Sequence, residues 1–126
     1  MKVIDNDQNF KPGAKILGSN LNVDDIQFIF MDVTTGDYYD LKTKSRFPFS
    51  IDSMAIVTNS ELITVTVTID STPVTGLFEK EITNAMHDYE ATAQNIVAVG
   101  SRVELNIVNT SDLTSQLSGN IKITRL

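Results

Sequence analysis

Glu61-Leu62-Ile63-Thr64-Val65-Thr66-Val67-Thr68-Ile69-Asp70 alternates without a break. Ile63, Val65, Val67 and Ile69 fall on one side, and Leu62, Thr64, Thr66 and Thr68 on the other. Successive side chains of a strand point to opposite faces. The segment therefore reads as a strand with one buried apolar face and one wetter face rich in Thr. Every residue from Ile63 to Ile69 is β-branched, which suits a pleated surface better than a helix. A one-residue slip would expose the whole apolar set, so the register is well specified. The fold class that follows is all-β, an antiparallel β-sandwich.

The neighbouring segments extend the pattern in both directions. Upstream, Ile26-Gln27-Phe28-Ile29-Phe30-Met31-Asp32-Val33 places Ile26, Phe28 and Phe30 on one face and Ile29, Met31 and Val33 on the other. Both faces are apolar, and one is read as an interface. Thr35-Gly36-Asp37 marks a turn, and Tyr38, Tyr39 and Leu41 mark a return strand. Pro48 donates no ladder hydrogen bond, so Arg46-Phe47-Pro48-Phe49 starts a strand or lies at an edge. Downstream, Asp70-Ser71-Thr72-Pro73 reads as a turn, and Val74 opens a short strand closed by Gly76. Residues 79–92 fit a strand and loop, with a short helix through Ile82, Met86 and Tyr89 as the alternative. Val103, Leu105 and Ile107 alternate inward, 110–119 reads as a polar loop, and 120–126 is a final strand. Short strands at this spacing, separated by turn residues, mark sandwiches and barrels.

Residues 1–20 differ from the rest. Val3, Ile4, Phe10, Ile16 and Leu17 are isolated among Asn, Gly and Pro, with no sustained period. They read as an N-terminal arm or loosely packed first strand, leaving 21–126 as the β-sandwich domain. Val3, Ile4 and Phe10 give a partner something apolar to hold.

Composition narrows the function. The chain of 126 residues suits one domain and has no Cys, hence no disulfide framework and no thiolate metal site. A net charge of −6 argues against a nucleic-acid backbone binder. Lys42, Lys44 and Arg46 form the local basic cluster, read as a solvated edge or loop, with an acidic partner surface as the alternative. No apolar run is long enough for a helical membrane span, and the first residues lack the apolar core of a signal peptide.

Motifs for chemistry are sparse. His87 is the one histidine, and although Asp88 and Ser101 exist, no Gly-x-Ser-x-Gly nucleophile elbow accompanies it. Asp5-x-Asp7-x-Asn9 opens like a calcium loop, but Phe10 stands where Gly is needed and Ile16 where Glu is needed. Asp24-Asp25 and Asp37/Asp40 are carboxylate pairs of the kind common at strand ends and turns. Asn109-Thr110-Ser111 is formally a glycosylation acceptor. No catalytic, metal or cofactor residue is assigned. Tyr38 and Tyr39 are adjacent, so on a strand one faces inward and the other is exposed or at an interface. By themselves these residues specify a soluble all-β domain and no activity.

A resemblance adds to this reading. Phe47-Pro48-Phe49-Ser50-Ile51, the Thr/Val strand, Asp70 to Gly76, Asn95 to Leu105 and Gly119 to Arg125 follow one another as in bacteriophage structural jelly rolls. The order is similar to small domains found as capsid decoration proteins and as knobs or tips on tail fibres, and it covers roughly two thirds of the chain. The first 46 residues fall outside it. The resemblance implies a jelly-roll-like sandwich that is not an enzyme and needs no cofactor. It also implies a homotrimer packed through sheet edges or apolar faces. The expectation is a virion structural protein, made in the host cytoplasm, that decorates or cements a phage capsid. Its partners would be other virion proteins, chiefly the major capsid protein, with neither nucleic acid nor membrane. The alternative is a receptor- or glycan-binding tip whose loops at 34–39 or 110–119 form the site. Val3, Ile4 and Phe10 are the expected anchors, and one of Tyr38 and Tyr39 the expected subunit contact.

Overall fold

The computed structural model describes residues 22–59, 62–110 and 115–126. They form β1 (Val23–Val33), β2 (Tyr38–Lys42), β3 (Phe49–Thr58), β4 (Ile63–Ile69) and β5 (Thr72–Pro73). β6 (Lys80–Ile82), β7 (His87–Glu90), β8 (Ile96–Val97), β9 (Val103–Thr110) and β10 (Ser115–Arg125) complete them. One sheet runs β1-β10-β3-β7, with β8 beside β7 on the same strand β3. The other runs β2-β9-β4, with β5 and β6 sharing the outer edge of β4. All pairings are antiparallel. The first four strands alternate between the two sheets, and β9 and β10 return to the middle of each. This is the jelly roll, two Greek keys closed on one core.

The core is aliphatic. Ile51, Met54, Ile56, Ile121 and Ile123 from one sheet meet Ile63, Val65, Val67, Leu105 and Ile107 from the other, all buried. The alternation in β4 holds as expected on its apolar side. Its Thr side differs from expectation, since Thr66 and Thr68 are only 5% and 8% exposed. Their hydroxyls replace water with protein partners: Thr66 Oγ1 accepts from the Glu79 amide (2.8 Å), and Thr68 Oγ1 from Asn106 Nδ2 (3.2 Å).

Bulges reset which residues face inward. In β1 the pairing with β10 skips Asp32, which has φ 56°. Phe28 is therefore buried on even parity and Val33 on odd, so Val33 leaves the outward row of Ile29 and Met31 in which its spacing placed it. In β3 the extra residue is Asp52, and the inward set shifts from Phe49 and Ile51 to Met54, Ile56 and Thr58. The Asp52 carboxylate accepts from Ser50 Oγ (3.0 Å) and Thr124 Oγ1 (2.5 Å), which holds the bulge in shape.

Other boundaries also moved. Asp70 and Ser71 both have positive φ and make a two-residue hairpin turn, so the next strand starts at Thr72 and includes Pro73, earlier than Val74. Pro73 is tolerated there because it sits on the edge. Residues 79–92 are strand and loop, with β6 and β7 joined through 83–86. The polar loop expected at 110–119 shrinks, since β10 starts at Ser115 and pairs with β1 on one side and β3 on the other. Gly119 lies inward there between Phe28 and Ile56, and a methyl group on it would collide with the carbonyl oxygen of Ala55.

Ile121→Ala is expected to lower unfolding free energy by about 2–5 kcal/mol, as for other large-to-small core changes. Ile29→Ala, at a 65% exposed position, should stay within about 0.5 kcal/mol. Urea titration followed by far-UV circular dichroism checks both.

Candidate functional site

β1 and β2 are the edges of the two sheets on one side of the sandwich. The turn at 34–37 joins them. The Asp37 amide donates to Thr34 O (3.1 Å), the Thr34 amide donates to Asp37 Oδ2 (2.9 Å), and Gly36 takes φ 92°. Inward of this turn, aromatic rings close the gap between the sheets. Phe28 stacks on Phe30 at 5.4 Å, and Phe30 on Tyr39 at 3.9 Å. The Tyr39 hydroxyl donates to Asp37 Oδ2 (3.3 Å). Burial, then the Asp37 charge, raises its pKa above the usual phenol value.

Tyr39 is therefore the inward member of the tyrosine pair, while Tyr38 points out of the second sheet, opposite Asn106, and is 65% exposed. On the outside of the first sheet, Ile29 (65% exposed) stands opposite Ser118, and Met31 (61%) opposite Gln116. With Gln27 and Asn120 they form an apolar row set in amide and hydroxyl groups. An open groove of about 630 Å³ runs beside it, lined by Gln27, Phe28, Ile29, Ser118, Gly119 and Asn120. The sequence showed that β1 is apolar on both faces but not which face remains open. Val3, Ile4 and Phe10, and the Asp5-x-Asp7-x-Asn9 run, lie outside the described residues.

The opposite side of the sandwich is closed by a second clasp. His87 Nε2 and Thr83 Oγ1 share a hydrogen bond (2.9 Å), and His87 stacks on Tyr89 at 5.8 Å. The Tyr89 hydroxyl donates to Glu81 O (2.6 Å), and Lys80 Nζ lies 5.3 Å from the Tyr89 ring centre. Burial, then the Glu81 charge, raises the Tyr89 pKa. The clasp spans β6 and β7, one from each sheet. In this geometry His87 binds structure to structure.

The carboxylate pairs are likewise engaged locally. Asp24 Oδ1 accepts from the Asp25 amide (2.8 Å), and Asp25 Oδ1 from Asn120 Nδ2 (3.2 Å). Asp40 lies 3.7 Å from Arg102, which also reaches Glu104 at 3.5 Å. Asp70 Oδ1 accepts from the Arg102 amide (3.0 Å) and so ties the β4–β5 turn to the start of β9. Among the described residues no group of three or more His, Asp or Glu is placed to hold a metal ion. No helix among them is long and apolar enough to cross a membrane.

No family model matches this chain, and no curated protein matches it. Among solved structures it is similar to the catalytic domain of a GH87 alpha-1,3-glucanase in complex with nigerose. The TM-score is 0.39 at 11% identity, with 78% of this chain and 21% of that chain covered. The chain thus spans about a fifth of that protein's length, and a likeness at this level carries no functional inference.

Two carboxylates, Asp37 and Asp70, are expected to add to the pH dependence of stability through the amides they bind. The Thr34 amide holds the Asp37 carboxyl below its ordinary 3.8, and the Arg102 amide does the same for Asp70. A group whose folded pKa is depressed contributes stability that is fully present above its unfolded value. That contribution fades as pH falls through the ordinary carboxylate range toward the lowered folded value. Asp37→Asn keeps an oxygen acceptor for Thr34 but cannot titrate. Its stability should fall less steeply than that of the parent chain between about pH 5 and pH 2, measured by urea titration across that range.

Proposed function

We propose that this chain is a non-enzymatic virion structural protein, a jelly-roll subunit that decorates or cements a phage capsid as a homotrimer. The observation that carries this reading is the exposed pair Ile29 and Met31, on an edge strand whose inward face is already committed to the core. Each ~100 Å² of apolar surface covered by a partner contributes roughly 2.5 kcal/mol before the costs of association. The jelly roll supports the reading because capsid domains use it, although one fold serves many functions. The polar side chains lend further support, since they tie turns, bulges and clasps together. The major capsid protein is the proposed partner and the virion the proposed location. The arm with Val3, Ile4 and Phe10 is the proposed second anchor.

Co-sedimentation with assembled particles tests this directly. The parent chain should pellet with particles in a copy number divisible by three. Ile29→Asp combined with Met31→Asp should weaken binding at least tenfold with little change in thermal stability, because both side chains are already in water in the free protein. Deleting residues 1–10 should also reduce binding. Binding that survives both changes overturns the mechanism.

The exposed Tyr38 ring favours a second reading. It lies beside Asp40 and opposite Asn106 on the outside of the second sheet, a platform suited to stacking on a sugar face. Under it the protein is a glycan- or receptor-binding tip. Saturable glycan-array or cell binding by the isolated chain, lost in Tyr38→Ala, would select it over capsid attachment.

A further inference from the structure

Four of the ten cationic side chains gather at one end of the sandwich. Lys42 ends β2, Arg125 ends β10, and Lys44 and Arg46 lie in the connection from β2 to β3. Phe47 gathers two of them: Lys42 Nζ lies 5.6 Å and the Arg125 guanidinium 4.0 Å from its ring centre. Ser45 pins the loop. Its amide donates to Ser101 O (2.8 Å), its carbonyl accepts from the Gly100 amide (2.7 Å), and its side chain is buried. Lys44 and Arg46, on either side of it, are exposed. With Ser45 and Val99 they line an open cleft of about 370 Å³. None of the four cations has an ion-pair partner among the described residues.

The other six Lys and Arg are set against 16 Asp and Glu, so the rest of the molecule is strongly acidic. Some of that charge lines the β6/β7 side. Glu79, Glu81, Asp88 and Glu90 are all exposed there and make no ion pair among the described residues. Asp88 and Glu90 project outward from β7, opposite Ala55 and Ser53, and Lys80 is occupied by Tyr89. The carboxylates flank that side of the sandwich, Asp88 and Glu90 on the outer face of the first sheet and Glu81 on that of the second, whereas the cations lie at the end where β2 and β10 finish. The two patches therefore face different directions within one molecule.

We infer that copies of this chain associate head to tail, with the basic end at Lys42, Lys44, Arg46 and Arg125 seated on the acidic β6/β7 side of the next copy. The contact is heterologous, so it closes into a ring where the rotation allows. It supplies a route to the proposed homotrimer, but it is read on the free protein and stands apart from particle binding.

Sedimentation velocity of the full chain at about 50 mM and about 500 mM salt tests it, because screening shortens the reach of exposed charges across that range. Oligomers should form at low salt and dissociate at high salt. Lys44→Glu with Arg46→Glu, and separately Glu81→Lys with Asp88→Lys, should each weaken association at least tenfold. Mixing the two variants should restore association as a heterodimer or other alternating, even-numbered assembly rather than as a closed trimer, since each supplies the charge that the other now needs. A chain that stays monomeric at both salts overturns the inference. So does association that neither charge reversal weakens, or a variant mixture that fails to reassociate. Binding of poly-glutamate by a monomeric parent chain would assign the basic end to a different acidic partner, and would equally overturn self-association.

Discussion

Strand alternation has to stay in phase with one dry interior, and the rest of the structure depends on that constraint. β1, β3 and β10 are 10 or 11 residues long, long enough for a twisted sheet to carry an alternating row out of the core. The skipped residues Asp32 and Asp52 bring the apolar set back inside. Both are polar, and at Asp52 the carboxylate itself fastens the irregularity to Ser50 and Thr124. The bulges thus belong to the same design as the aliphatic layer they serve.

A sandwich also has open sides, and here each is closed by aromatic rings. Phe28, Phe30 and Tyr39 fill the β1/β2 side, and His87 and Tyr89 the β6/β7 side. The Tyr39 and Tyr89 hydroxyls reach a carboxylate and a backbone carbonyl, and His87 reaches the Thr83 hydroxyl, so the rings shield the core while their polar tips keep protein partners. This division of labour leaves Ile29, Met31 and Tyr38 outside. A β1 that turned its other face inward would have lost the Phe30–Tyr39 stack.

The fold was legible where the side-chain pattern is local and unbroken. The strand at Ile63–Ile69 needed only its own alternation, and adjacency alone forced Tyr38 and Tyr39 onto opposite faces. The pattern failed where a tertiary partner decides. Thr66 and Thr68 looked like a wet face because nothing nearby in sequence announces Asn106 or the Glu79 amide. The start of β10 looked like a loop because Gly119 interrupts its apolar row, and the missing side chain makes sense only against Phe28 and Ile56. Val33 was placed with Ile29 and Met31 because a bulge at Asp32 has no reliable signature in a single sequence. The candidate surface was half legible for the same reason: a strand apolar on both faces announces that one apolar row stays exposed, while the ring stack that chooses the open face lies across two sheets.

The position of β10 has a consequence for how the molecule is made. Among the described residues it is the last of the ten strands in chain order, yet it lies between β1 and β3, the first two members of its sheet in that order. Until it arrives those two strands have no common neighbour, and their inward apolar rows stay uncovered. Assembly of that sheet must wait for a strand far along the chain from its neighbours, a high-contact-order route that is slow and exposed to aggregation. A nascent chain stalled shortly before residue 115 would lack the middle of the sheet rather than its margin, and would be a substrate for chaperones or proteases.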